Sequence, residues 1–86
     1  MKQTKILFFS SSTCGPCRLA KSRLTEQEIE ELNIEILSDE DWESFVFYEV
    51  QTVPTFLKIN LENNEVINRQ AGFSNIERLA EDLRSL

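Results

Sequence analysis

The sequence contains no histidine. That removes the commonest metal ligand and the commonest general base among side chains. Glycine and proline are scarce, two of each, which argues against a turn-rich all-β fold. Two cysteines cannot build a disulfide-dense scaffold, and with no clustered further ligands they do not make a structural zinc site. Long apolar runs are missing as well. After the basic start Met1-Lys2, the run Ile6-Leu7-Phe8-Phe9 is only four residues long. A signal-peptide core needs about 7–15 and a membrane span about 20. The expected setting is therefore cytoplasmic, away from membranes. Positive charge is in deficit, with nine Lys and Arg against fifteen Asp and Glu, for a net −6. So acidic a small protein is repelled by phosphate backbones, which excludes a general nucleic-acid role.

What remains is an ordinary globular composition: 86 residues, 41% apolar and 28% charged. A chain of this length has room for one core, so a single domain over residues 1–86 is expected. Thr4 to Phe9 is short, apolar and aromatic-rich, as in a strand buried on both faces of a parallel sheet. Ser10-Ser11-Ser12-Thr13 is a polar loop offering several helix caps. From Gly15 the chain turns helical, with Pro16 in the first turn, where its missing N–H costs nothing. Cys17, Ala20 and Leu24 form the apolar face. The rhythm slips after Leu24, and Thr25-Glu26-Gln27-Glu28 has capping-box form, so the helix breaks and restarts through Ile29 and Leu32.

Ile34 to Leu37 is the second strand. Ser38-Asp39-Glu40-Asp41 caps a helix through Trp42, Phe45, Val46 and Tyr48, which ends at Gln51-Thr52-Val53-Pro54. Thr55 to Leu61 and Val66 to Gln70 are strands joined by Glu62-Asn63-Asn64-Glu65, where Asn-Asn accepts a positive φ. Gly72 breaks the chain, and Ser74-Asn75-Ile76-Glu77 opens an amphipathic helix carrying Ile76, Leu79, Ala80 and Leu83. The order is βαβαββα, an α/β sandwich with a four-stranded mixed sheet flanked by helices.

Cys14-Gly15-Pro16-Cys17 is the sharp chemical signal. A Cys-x-x-Cys that follows a buried strand and opens a helix is a dithiol/disulfide motif. The helix N-terminus offers unpaired N–H groups and partial positive charge, which favour a thiolate at Cys14. Cys17 lies one turn on, on the apolar face. The attacking thiol is therefore expected to be the exposed Cys14, and the buried Cys17 the second.

Cys14-Gly15-Pro16-Cys17 resembles the active site of the thioredoxins. Val53-Pro54-Thr55 resembles their second signature, a cis-proline loop ahead of a strand. The hairpin at Asn63-Asn64-Glu65-Val66, Gly72 and the capped last helix match the family's C-terminal half in order. The resemblance implies a thioredoxin-like fold and a redox-active Cys14–Cys17 disulfide supported by Gly15, Pro16 and Pro54. It implies substrate contacts at Val53, Thr55, Gly72 and Phe73, with the Val53 backbone pairing with substrate like an added strand. It also implies a monomer that binds no cofactor or metal of its own. Its partners would be disulfide-containing proteins and a thioredoxin reductase, through which alone NADPH and FAD enter.

The departures are specific. A strand and a helix of the longer thioredoxins have no counterpart before Thr4, so the sheet has glutaredoxin size. Thr13 replaces the family's tryptophan ahead of the motif. Phe8 aligns with the family's buried aspartate, which manages the proton of the buried cysteine. Glu35 is one stand-in for it, although an edge-strand glutamate is more simply solvated. Arg18 either adds positive potential or is a solvated helix residue. Trp42, Phe45, Phe47 and Tyr48 read mostly as core, yet one helix cannot bury all its sides. Glu26, Glu28, Glu30 and Glu31 read as a solvated face. Two rival functions are a glutathione-linked glutaredoxin and a non-enzymatic binding module on the same fold. The Gly-Pro between the cysteines and the absence of a glutathione-binding glycine pair near Gly72 count against the first. The intact dithiol counts against the second.

Overall fold

The computed structural model describes residues 3–86. Met1 and Lys2, the basic start of the sequence, lie outside the described residues. The elements are β1 (Thr4–Phe9), α1 (Gly15–Arg23), α2 (Glu26–Leu32), β2 (Ile34–Leu37), α3 (Trp42–Phe47), β3 (Thr55–Asn60), β4 (Val66–Ala71) and α4 (Leu79–Arg84). They build a four-stranded mixed sheet in the order β2-β1-β3-β4, with helices on both faces. β1 runs parallel to β2 and antiparallel to β3, and β3 is antiparallel to β4.

The expected break in the first helix is present. Leu24 turns to extended backbone, and a complete capping box starts α2: Glu28 N–H donates to Thr25 Oγ1 at 3.1 Å and Thr25 N–H to Glu28 Oε1 at 3.0 Å. The last helix starts differently from expectation. Asn75, not Ser74, accepts the capping bond from Glu77 N–H, and Ile76–Arg78 forms a 3₁₀ turn before α4. The cap expected for α3 is likewise absent: Asp41 sits at the N-cap but accepts no backbone N–H of the first turn, and its carboxylate accepts from the side chain of Ser44, Oγ at 3.0 Å, instead. β3 stops at Asn60 and β4 reaches Ala71. The intervening loop places Asn64 at φ 60, as the Asn pair suggested.

Strand alternation gives each sheet face its own core. Ile6, Phe8, Ile34 and Phe56 face α1 and α4, burying Ala20, Leu24, Leu79 and Leu83 with them; the Phe8 and Phe56 rings lie 4.6 Å apart. Leu7, Phe9, Leu37, Leu57 and Ile59 face the other way, toward Val50, Phe45 and Tyr48. Phe9 meets Phe45 edge-on at 4.9 Å.

α3 has six residues, too few to hold itself in water. Its C-terminus is closed twice. Glu49 adopts φ 54, Glu49 N–H donates to Val46 O at 3.1 Å and Val50 N–H to Phe45 O at 2.8 Å, which is a Schellman motif with glutamate where glycine is usual. Arg69 then reaches across from β4. Its Nη2 donates to Tyr48 O at 2.7 Å and its Nη1 to Glu49 O at 3.4 Å. A guanidinium there also opposes the negative end of the helix dipole.

Candidate functional site

β1, an inner strand of the sheet, is followed directly by Ser10, which is fully buried. Its N–H and Oγ both donate to Leu37 O, at 2.8 and 3.1 Å, so the loop that follows leaves the sheet from a fixed point. In that loop Ser11 Oγ accepts from Thr13 N–H. None of the four polar loop residues caps α1. Cys14 itself holds the N-cap position with extended backbone, and Cys17 N–H donates to Cys14 Sγ at 3.1 Å. One of the orphan N–H groups of the helix start is thereby satisfied by the sulfur. Pro16 stands in the first turn, where no N–H is required.

Cys14 and Cys17 are joined in a disulfide, with their Cα atoms 5.2 Å apart. Cys14 is half-buried and Cys17 is fully buried. The asymmetry follows from helix geometry, since Cys17 lies on the same side of α1 as buried Ala20.

The Val53–Pro54 peptide bond is cis. Pro54 is buried, and with Gly15, Pro16, Leu19, Gly72 and Phe73 it lines a predominantly apolar cleft of about 390 Å³. Gly72 sits at φ 73, a left-handed conformation that favours glycine, and its N–H donates to Pro54 O at 2.7 Å. Gln70 Nε2 donates to Gly72 O at 3.0 Å and steadies the turn. Val53 is partly exposed, and its backbone has no hydrogen-bond partner among the described residues.

Folding thus brings Gly15, Pro16, Pro54, Gly72 and Phe73 into one cleft at the N-terminal end of α1, where the disulfide stands. Thr55 does not join them through its side chain. It is buried, and its hydroxyl donates to Thr52 O at 2.7 Å, closing the turn before β3. Leu19, half exposed in the cleft, escaped notice in the sequence; its position three residues after Pro16, on one helix face, was the available signal. Arg69, which anchors the chain entering the Pro54 loop, gave no local signal at all.

Phe8 is fully buried against Phe56. Among the described residues the buried polar ones are Ser10 and Thr55, so no buried carboxylate stands beside Cys17. Glu35 is not its replacement. It pairs in register with Leu7, on the sheet face that looks toward α3, and its carboxylate binds Lys5 Nζ at 2.6 Å near the surface. Arg18 is exposed and makes no ion pair among the described residues. Among those residues there is no cluster of His, Cys, Asp and Glu placed to hold a metal, and no helix long and apolar enough to cross a membrane.

No protein-family model and no curated protein sequence matches the chain. Solved structures do. The chain is similar to the thioredoxin of Fasciola hepatica at 26% identity and a TM-score of 0.75, covering 96% of this chain and 80% of that one. Two further matches bear on the fold alone. The oxidised mitochondrial thioredoxin 3 of Saccharomyces cerevisiae shares 21% identity at a TM-score of 0.71, covering 100% of this chain and 81% of that one. The thioredoxin of Trypanosoma brucei brucei shares 19% at 0.74, covering 96% and 74%. The chain has the thioredoxin fold, and the resemblance to the thioredoxin family carried by its two motifs extends over nearly its whole length.

Proposed function

We propose that this protein is a thiol-disulfide oxidoreductase that reduces disulfides in other proteins. The observation that carries the reading is the division of the Cys14–Cys17 pair. One sulfur is accessible at a helix N-terminus, accepts an N–H bond and borders an apolar cleft; the other is buried one turn behind it. In the reduced protein the Cys14 thiolate attacks one sulfur of a substrate disulfide, forming a mixed disulfide and releasing the first substrate thiolate. Cys17, having lost its proton, attacks Cys14 Sγ, expels the second substrate thiolate and leaves Cys14–Cys17 oxidised. Two electrons pass to the substrate, and its two thiolates take up two protons. The free backbone of Val53 suits pairing with an extended substrate segment, with Phe73 and Pro16 beside it.

An external dithiol donor must return the pair to its reduced state. The resemblance favours a flavin- and NADPH-dependent thioredoxin reductase, in a reducing compartment such as the cytoplasm. With no buried acid near Cys17, its proton leaves through solvent in this reading.

The test is reduction of insulin disulfides, driven in turn by thioredoxin reductase with NADPH and by glutathione. Turnover with the first and not the second is the expected result; turnover with glutathione alone would place the protein with the glutaredoxins. Cys14→Ser should abolish turnover, and Cys17→Ser should accumulate a mixed disulfide visible by mass spectrometry. An adduct on Cys14→Ser and none on Cys17→Ser would reverse the assignment.

A further inference from the structure

Between Leu24 and Leu57 the sequence holds ten Asp and Glu and no Lys or Arg. The structure treats these acids unequally. Glu28 and Glu31 of α2 meet Arg84, and Glu35 meets Lys5. Around α3, Asp39, Glu40, Asp41, Glu43 and Glu49 make no ion pair among the described residues. Arg69 reaches this helix, but its guanidinium is engaged with the carbonyls of Tyr48 and Glu49.

The same short helix exposes three large apolar side chains. Trp42 is 64% exposed, Val46 69% and Phe47 72%. At about 100° per residue, Trp42, Glu43, Val46 and Phe47 occupy one continuous half of α3, opposite the packed Phe45 and Tyr48. Next to them lies a cleft of about 620 Å³ lined by Phe45, Val46, Glu49, Val50 and Gln51. Acids and apolar groups therefore alternate on one surface. Solubility alone would be served by the acids without the rings, since isolated apolar residues are normal but a contiguous group marks a contact site.

We propose that the exposed face of α3 is a docking surface for a basic amphipathic segment of a partner protein. The apolar side chains of that segment cover Trp42, Val46 and Phe47, while its Lys and Arg side chains meet Glu43, Glu49 and the exposed Asp39 and Glu40. The charge chooses among occupants. A second copy of the chain would bring the same unpaired acids against these, and an anionic membrane would repel them. A cationic partner is drawn in by the field and neutralises it. The surface does not involve the cysteine pair, so this inference and the proposed redox activity stand or fall separately.

Trp42 is the single tryptophan of the chain and reports directly. The probe is a synthetic amphipathic helix of Lys and Leu, with a Glu and Leu peptide of the same pattern as control. The Lys peptide should shift Trp42 emission to the blue with saturable binding that weakens several-fold as salt rises from low to physiological strength. The Glu peptide should leave emission unchanged. Val46→Ser with Phe47→Ser should weaken binding about tenfold or more, as loss of central apolar anchors does. Glu43→Gln with Glu49→Gln should weaken it and flatten the salt dependence. Glu26→Gln with Glu30→Gln, on α2, should change nothing. These positions are exposed, so the variants fold, and the Cys14→Ser protein should bind like the parent. The proposal is overturned if both peptides bind alike, if the α2 variant loses as much as the α3 variant, if anionic phosphatidylserine vesicles produce the blue shift, or if sedimentation shows a dimer that Val46→Ser with Phe47→Ser dissolves.

Discussion

The two faces of the sheet are built to different standards. The Phe8 face is closed by α1, α2 and α4, and its core side chains interlock with Ala20, Leu24, Leu79 and Leu83. The Phe9 face is closed by one helix, α3, and the segment after it with Tyr48, Val50 and Val53; that helix has six residues, no side-chain cap at its start and three apolar residues turned outward. The face that carries the buried Cys17 is the well-supported one. The other face is held at its rim by a guanidinium and a Schellman turn, and it keeps surface available for contact.

The sharpest way to break this contrast is Phe8→Asp. It removes a fully buried ring and leaves a carboxylate among apolar neighbours. Loss of the ring alone is worth about 3–5 kcal/mol. An unpaired buried carboxyl adds to that, so the sum approaches the entire stability of a small domain. Urea melts should show a largely unfolded or strongly destabilised protein; wild-type stability would mean that the face is not a closed core.

Phe8→Ala and Phe9→Ala compare the faces directly. Both rings are fully buried and adjacent in sequence. The Phe8 variant should fall at the upper end of the range of about 3–5 kcal/mol, because three helices cannot all move into the gap. The Phe9 variant should fall at or below its lower end, because α3 can settle onto the sheet. Equal losses in denaturant would erase the distinction.

Arg69→Gln tests the rim. It deletes the charged bonds to Tyr48 O and Glu49 O at an exposed position, and about 1 kcal/mol should be lost. Because the same turn leads to Val53 and Pro54, the KM for insulin should rise more than kcat falls. A loss of stability with unchanged kinetics would limit Arg69 to holding α3.

The smallest effect lies at the start of α2. The backbone N–H of Thr25 holds the Glu28 carboxyl below the usual carboxylate range, against a smaller opposing effect of burial. A group lowered in the folded state contributes stability above its unfolded value and loses it as pH falls. The parent should therefore exceed Glu28→Gln by a few tenths of a kcal/mol at pH 7, and thermal melts should show the gap closing below about pH 4.5. A gap independent of pH would assign the effect to the hydrogen bond alone.

What the sequence determined by itself was local or periodic. The apolar run of β1, the break between α1 and α2 with its capping box, the positive φ at Asn64, the burial of Cys17 and the amphipathic α4 each rest on residues within a few positions of one another, where the chain's own geometry sets the outcome. Tertiary structure decided what depends on register and on distant partners. Glu35 follows the pleat to the α3 face and finds Lys5, which removes it from Cys17. Thr55 turns inward, where its hydroxyl donates to Thr52 O across the loop turn. The cap of α1 went to a cysteine, although four better cap residues precede it, because Ser10 fixes where the chain leaves the sheet. The clamp of Arg69 on α3 spans 21 residues of sequence, a distance over which no pattern in the chain announces a partner and only the pairing of β3 with β4 supplies one.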